Sequence, residues 1–211
     1  MTNYLPNYSM LLCCLIFCTN GLFAQEWKLE RDKSGVKIYT RFLEGWDLKQ
    51  FRGEIMIKGT VADMEKTLRN AAARCKWMHN TVDTKDVKVV SENEVYAYCR
   101  LEAPWPVSDR DNVTKYTFKS ISSREMYVYF KNESGVEPEK PGVVRINRME
   151  GYWHFKQMLS GYVKVTQLAV AEAGGSVPAW LANSAVIDSP YNTLLNLKKY
   201  VESHVSQTVG N

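Results

Sequence analysis

Metal and thiol chemistry have little to work with in this chain of 211 residues: it has three histidines and five cysteines. His79, His154 and His204 stand far apart. Cys13, Cys14 and Cys18 fall in an N-terminal apolar run, leaving Cys75 and Cys99 too far apart for a metal or redox motif. No HExxH, GxSxG, GxGxxG or phosphate-loop pattern occurs, so the usual marks of zinc hydrolysis, serine nucleophiles and nucleotide binding are missing. Neither cofactor nor metal is expected. Strong charge of one sign is also lacking, with 27 basic against 23 acidic residues and no Lys/Arg block. That balance speaks against a nucleic-acid partner and leaves only a weak attraction to anionic lipid surfaces.

Long hydrophobic runs are absent too, with one exception. Met10 to Cys18 (MLLCCLIFC) is continuously apolar but too short to span a bilayer, and small or polar residues follow, with Ala24 at a cleavage point. Residues 1–24 read as a signal peptide, despite an n-region without Lys or Arg. The alternative is an uncleaved anchor. The expected location is therefore periplasmic or extracellular, with residues 25–211 as a single domain.

That domain is rich in alternation. Residues 35–42 (GVKIYTRF) and 51–57 (FRGEIMI) alternate with period two, and so do successive short runs between Val87 and Val170. Strands in succession with no helix between them predict an antiparallel sheet of about nine strands, which must curve. A helix is predicted from Thr60, with an apolar stripe at Val61, Met64, Leu68, Ala71, Cys75 and Met78. A second, long helix follows Gly174-Gly175, with Ser176 as a cap, Pro178 in its first turn and a break near Ser189-Pro190. The fold class is α+β, the sheet wrapped around the C-terminal helix.

In residues 95–101 the inward set Val95, Ala97, Cys99 and Leu101 is small, and the helix opposite carries Ala182, Ser184 and Ala185. Small residues on both sides leave room for a cavity, unless bulky neighbours such as Trp77, Phe118 or Trp153 fill it. Asp109 and Asp111 form a carboxylate pair, but Arg110 between them favours ion pairing over acid/base work.

Three segments in fixed order carry a resemblance: Pro104-Trp-Pro-Val-Ser-Asp-Arg-Asp111, Pro141-Gly-Val-Val-Arg145, and Gly174-Gly-Ser-Val-Pro-Ala-Trp-Leu-Ala-Asn183. They resemble the PxPxxxRD, GVxR and GGxxPxWLxN motifs of the StAR-related lipid transfer (START) domains. These are helix-grip folds of the Bet v 1-like superfamily. The resemblance implies non-catalytic binding, with transfer, of a lipid or other apolar molecule in a tunnel between sheet and C-terminal helix. It also implies a monomer with transient membrane contact.

By this resemblance the ligand meets Ala97, Cys99, Tyr116, Phe118, Trp153, Trp180 and Ser184. Trp105, Pro106, Arg110, Asp111, Arg145, Gly174, Gly175 and Pro178 serve the architecture. Within the PxPxxxRD segment the prolines should hold an extended crossing, Trp105 cover a core edge, Arg110 pair with a carboxylate or backbone carbonyls, and Asp111 bond nearby amides. Several relatives carry a cavity arginine six residues after the RD arginine. Tyr116 stands there, so a charged anchor is expected to be missing. Two competing functions share the scaffold: a cyclase or aromatase-like enzyme using Tyr116 and His154, and a ligand-sensing interaction module.

Overall fold

The computed structural model describes residues 26–175 and 177–208. The expected signal peptide (1–24) and the Ser176 cap lie outside the described residues.

The elements run β1 (Lys28–Lys33), β2 (Val36–Arg41), β3 (Gln50–Lys58), α1 (Val61–Arg69), α2 (Ala71–Trp77), β4 (Thr81–Ser91), β5 (Glu94–Leu101), β6 (Arg110–Ser122), β7 (Glu125–Asn132), β8 (Val144–Arg145), β9 (Met149–Gln157), β10 (Tyr162–Ala171), α3 (Ala179–Val186) and α4 (Asp188–Thr208). They form one ten-stranded sheet in the order β1-β2-β3-β10-β9-β7-β6-β5-β4, with the short β8 pairing with β6 off this path. Every pairing is antiparallel except β6 with β8.

The sheet therefore has ten strands where about nine were expected. The extra strand, β1, has the sequence KLERDK, without apolar alternation, because it is an edge strand with mostly exposed side chains. It is held by its ladder to β2 through a tight turn at Ser34-Gly35, both at positive φ.

The predicted first helix is in fact two. α1 carries a capping box between Thr60 and Asp63, and buries Val61, Met64 and Leu68 as expected. Asn70 then interrupts the spiral and caps α2 by accepting from the Ala73 amide. The break rotates the buried face to Ala73, Arg74 and Trp77, and leaves Cys75 exposed where the continuous stripe would bury it.

The last helix is also divided, at Ile187, two residues ahead of Ser189. Ile187 has φ −121° and ψ −57°, and its amide still donates to Asn183 O at 3.1 Å. Pro190 falls in the first turn of α4, where a missing amide hydrogen costs nothing. α4 packs on β3 and β2 and also touches α1, α2 and α3. Its inner stripe of Leu194, Leu197 and Val201 joins Ile38, Ile55, Ile57, Phe155, Val163 and Val165 in the core. Gly53 marks a close approach of helix to sheet, since a Cβ there would stand 2.5 Å from Leu194 Cδ1.

Candidate ligand-binding site

Because α4 seals one end of the concave face, the inward residues at the other end are left without a helix pressed onto them. A cavity of about 260 Å³ lies there, between the sheet and α2, α3 and the start of α4. The sheet contributes Cys99, Tyr116, Phe130, Met149, Trp153 and Ala169 to its walls, and α3 contributes Leu181, Ala182, Ser184 and Ala185. The alternation places Cys99, Tyr116, Trp153 and Ala169 on one face of neighbouring strands, and the small helix residues prevent α3 from filling the gap. The walls are mainly apolar.

Several polar groups interrupt them. Arg74 of α2 is 3% exposed and donates from Nε and Nη2 to Leu68 O, at 3.2 and 3.0 Å, and from Nη1 to Asp86 at 3.4 Å. Its guanidinium lies 5.0 Å from the Tyr116 ring centroid. Burial raises the Tyr116 pKa above its ordinary value, the nearby Arg74 charge opposing. The phenol therefore stays neutral. Trp77 Nε1 and Gln167 Oε1, both of cavity-bordering residues, are buried without a hydrogen-bond partner among the described residues. His79 borders the same space, and its amide donates to Thr193 Oγ1 at 3.1 Å.

Of the residues expected to meet a ligand, Cys99, Tyr116, Trp153 and Ser184 border the cavity. Ala97 and Phe118 do not: both are buried, and Phe118 lies beneath the Arg69 guanidinium at 3.8 Å. Trp180 on α3 is 56% exposed and does not border it either. Burial pushes the Cys99 thiol pKa up to about 12, so it is a wall atom rather than a nucleophile. Cys75 and Cys99 are both free thiols.

The connection between β5 and β6 departs from expectation in three ways. Trp105 is 93% exposed and covers no core edge, because the chain turns here, with Val107 N bonded to Pro104 O at 3.0 Å, rather than crossing extended. Among the described residues Asp111 bonds no amide with its side chain; it is held by Arg145, whose Nε and Nη2 donate at 2.6 and 3.1 Å. Asp109 takes Arg100 Nη2 at 2.6 Å and the Ala103 amide at 3.0 Å. Arg110 donates to the Ser108 carbonyl, as one of its expected alternatives has it, but it also borders the cavity. Two buried guanidinium groups thus line a cavity in which none was expected.

Gly174 and Gly175 form the turn before α3 at φ +66°, and a Cβ on Gly174 would stand 2.9 Å from Arg145 O. Pro178 stands at the N-cap position of α3, just before the first turn in which it was expected, and Pro106 lies in the turn before β6 instead of an extended crossing.

Sequence reading missed Arg74, Gln167, Asn112 and Met149. Arg74 had one available signal: Asn70 ahead of three alanines is a helix-start pattern in mid-helix. Gln167 gave none, because a polar residue in an alternating strand reads equally as solvent-facing. His154 is on the outer face, bonded to Glu125 at 2.8 Å and stacked on Tyr127 with ring centroids 4.2 Å apart. Among the described residues no group of three or more His, Cys, Asp or Glu is arranged to hold a metal.

Comparison with known proteins supports the same picture. The START domain family matches residues 19–205. An uncharacterized protein of Pseudomonas aeruginosa is 33% identical over 193 residues, covering 91% of this chain and 95% of that protein. The mouse (Mus musculus) phosphatidylcholine transfer protein is 23% identical over 195 residues, covering 89% of each. Among solved structures, a StAR-related lipid transfer protein fragment from Xanthomonas axonopodis superposes with a TM-score of 0.77 at 36% identity, covering 83% of this chain and 98% of that one. The Zhui aromatase/cyclase of Streptomyces sp. R1128 is similar in fold alone, with a TM-score of 0.55 and 9% identity over 74% of this chain and 94% of that one. Three motifs in order, a ten-stranded sheet gripping a C-terminal helix, and these matches have one reading: the chain belongs to the START domain family.

Proposed function

We propose that this chain binds a lipid or other apolar amphiphile in the cavity between the sheet and α3, carries it without chemical change, and releases it at a membrane. The observation that carries the reading is the cavity itself, with mainly apolar walls and a small-residue helix as its cover. Relatives named for lipid transfer support it. Each methylene taken from water contributes about 0.8 kcal/mol, so a dozen carbons contribute on the order of 10 kcal/mol before ordering costs.

The connections β2–β3, β5–β6 and β10–α3 leave the sheet at one end, following the antiparallel register. Phe42 and Trp105 lie in the first two, Trp180 begins the helix after the third, and all three side chains are exposed, at 63%, 93% and 56%. Exposed aromatic rings beside a lipid cavity suit shallow insertion between headgroups. We place the carrier outside the cytoplasm on the strength of the 1–24 segment, and as a monomer.

The enzymatic alternative needs converging titratable groups. Tyr116 borders the cavity while His154 is on the opposite face of the sheet, so the two first suspects do not meet. The test is transfer of a fluorescent fatty acid or phospholipid between donor and acceptor vesicles. The account predicts transfer that scales with protein concentration, slowed several-fold by Trp105→Ala with no change in melting temperature. Conversion of the lipid to a new product, or no transfer of any lipid offered, contradicts it.

A further inference from the structure

Among the described residues Arg110, at the start of β6, is a buried arginine without a carboxylate partner. It is 8% exposed, and among the described residues its side chain makes one hydrogen bond, from Nη1 to Ser108 O. Both acids beside it in sequence are engaged elsewhere, Asp109 by Arg100 and Asp111 by Arg145. Arg74, the other buried arginine bordering the cavity, has Asp86 and the Leu68 carbonyl. Two further acids border the cavity, Glu102 and Glu172, and neither forms an ion pair with Arg110; Glu172 is taken by Arg148 at 3.0 Å. Burial lowers the Arg110 pKa below the ordinary arginine value, and the charge of Asp109 opposes this. Its Nε and Nη2 make no hydrogen bond among the described residues, so at the cavity wall this guanidinium has donors to offer an anion.

The geometry points to Arg110 as a head-group anchor: the cavity takes a single-chain amphiphile whose oxyanion head, a carboxylate or a phosphate, lies against this guanidinium. The hydrocarbon runs along Cys99, Tyr116, Phe130 and Ala169, and a cavity of about 260 Å³ suits one chain rather than two. A planar fork of donors matches both oxyanions, so the chain length and the head are separable in a test. This deepens the lipid-binding reading and rests on it.

The test is calorimetric titration of the full purified chain with laurate, lauryl phosphate and lauryl alcohol, for wild type, Arg110→Lys and Arg110→Gln. Wild type should prefer at least one anion over the alcohol by roughly ten- to a hundred-fold, and the tighter of the two identifies the head. Arg110→Gln should weaken the anions far more than the alcohol, collapsing that preference, and Arg110→Lys should keep part of it. Should Arg110→Gln fail to fold, the wild-type preference and the lysine variant decide. Equal affinity of wild type for all three, or a preference that survives Arg110→Gln, overturns the anchor while leaving lipid binding intact. Binding of none of the three overturns the lipid reading itself.

Discussion

At the scale of single residues, the charges around the β5–β6 connection divide by burial. The Asp111 and Arg145 side chains are 1% and 7% exposed, so removing the carboxylate strands a buried guanidinium. Asp111→Ala should lower unfolding free energy by about 3–5 kcal/mol in urea titration. Asp109→Ala, whose partner Arg100 is 41% exposed, should cost distinctly less. Equal losses would mean that burial does not set the value of these pairs.

The thiols divide in the same way. Peptide mapping after brief iodoacetamide treatment at neutral pH should find position 75 modified and position 99 intact until the chain unfolds. Burial holds the His79 pKa below its ordinary 6.5, with the charge of Asp188 opposing. The unfolded chain therefore takes the proton first. Stability should be intact above about pH 6.5 and fall as the pH drops from there toward the folded value. His79→Gln should flatten that part of the stability profile, and an unchanged profile would show that His79 is solvated in the folded chain.

At the scale of elements, β2, β3, β5 and β10 were legible because each has one face in the core, which enforces alternation. β1 was not, since an edge strand with polar side chains leaves no hydrophobic trace. Helix periodicity likewise carried through Asn70, because three alanines continue any helical pattern and the cap is a single side chain. That one break moves Arg74 and Trp77 into the site and Cys75 out of it. Part of the site was legible: Cys99 follows from strand alternation and Tyr116, Trp153 and Ser184 from the family resemblance, whereas Gln167 and Arg110 are polar residues whose inward aim only the sheet's closure defines.

The division of the last helix at Ile187 separates a firm part from a loose one. α4 is fixed by Leu194, Leu197 and Val201, whereas α3 borders the cavity and keeps Trp180 in solvent. Bound lipid should slow amide exchange through residues 179–191 and leave 194–201 unchanged. Protection spread evenly over both helices would contradict α3 as the moving cover.

At the scale of the molecule, the fold assigns its two ends different work. One end is a filled core in which α4 closes on Gly53 and the inner strands. The other keeps a void bordered by apolar walls and buried cations, next to exposed aromatic rings. A protein of this size has every energetic reason to fill such a void, because the lining forgoes its dispersion contacts. A ligand that restores them binds and stabilises together. The motif that identifies the fold, residues 104–111, also delivers Arg110 to the cavity's edge, so architecture and the proposed head-group contact share one short connection.

The most direct test of this account is native mass spectrometry of the chain purified from its own host without detergent. The account predicts a population heavier than the apoprotein by the mass of a lipid, which organic extraction removes and which returns on incubation with the extracted lipid. A chain that is uniformly apoprotein, and stays so after exposure to a broad lipid panel, contradicts it.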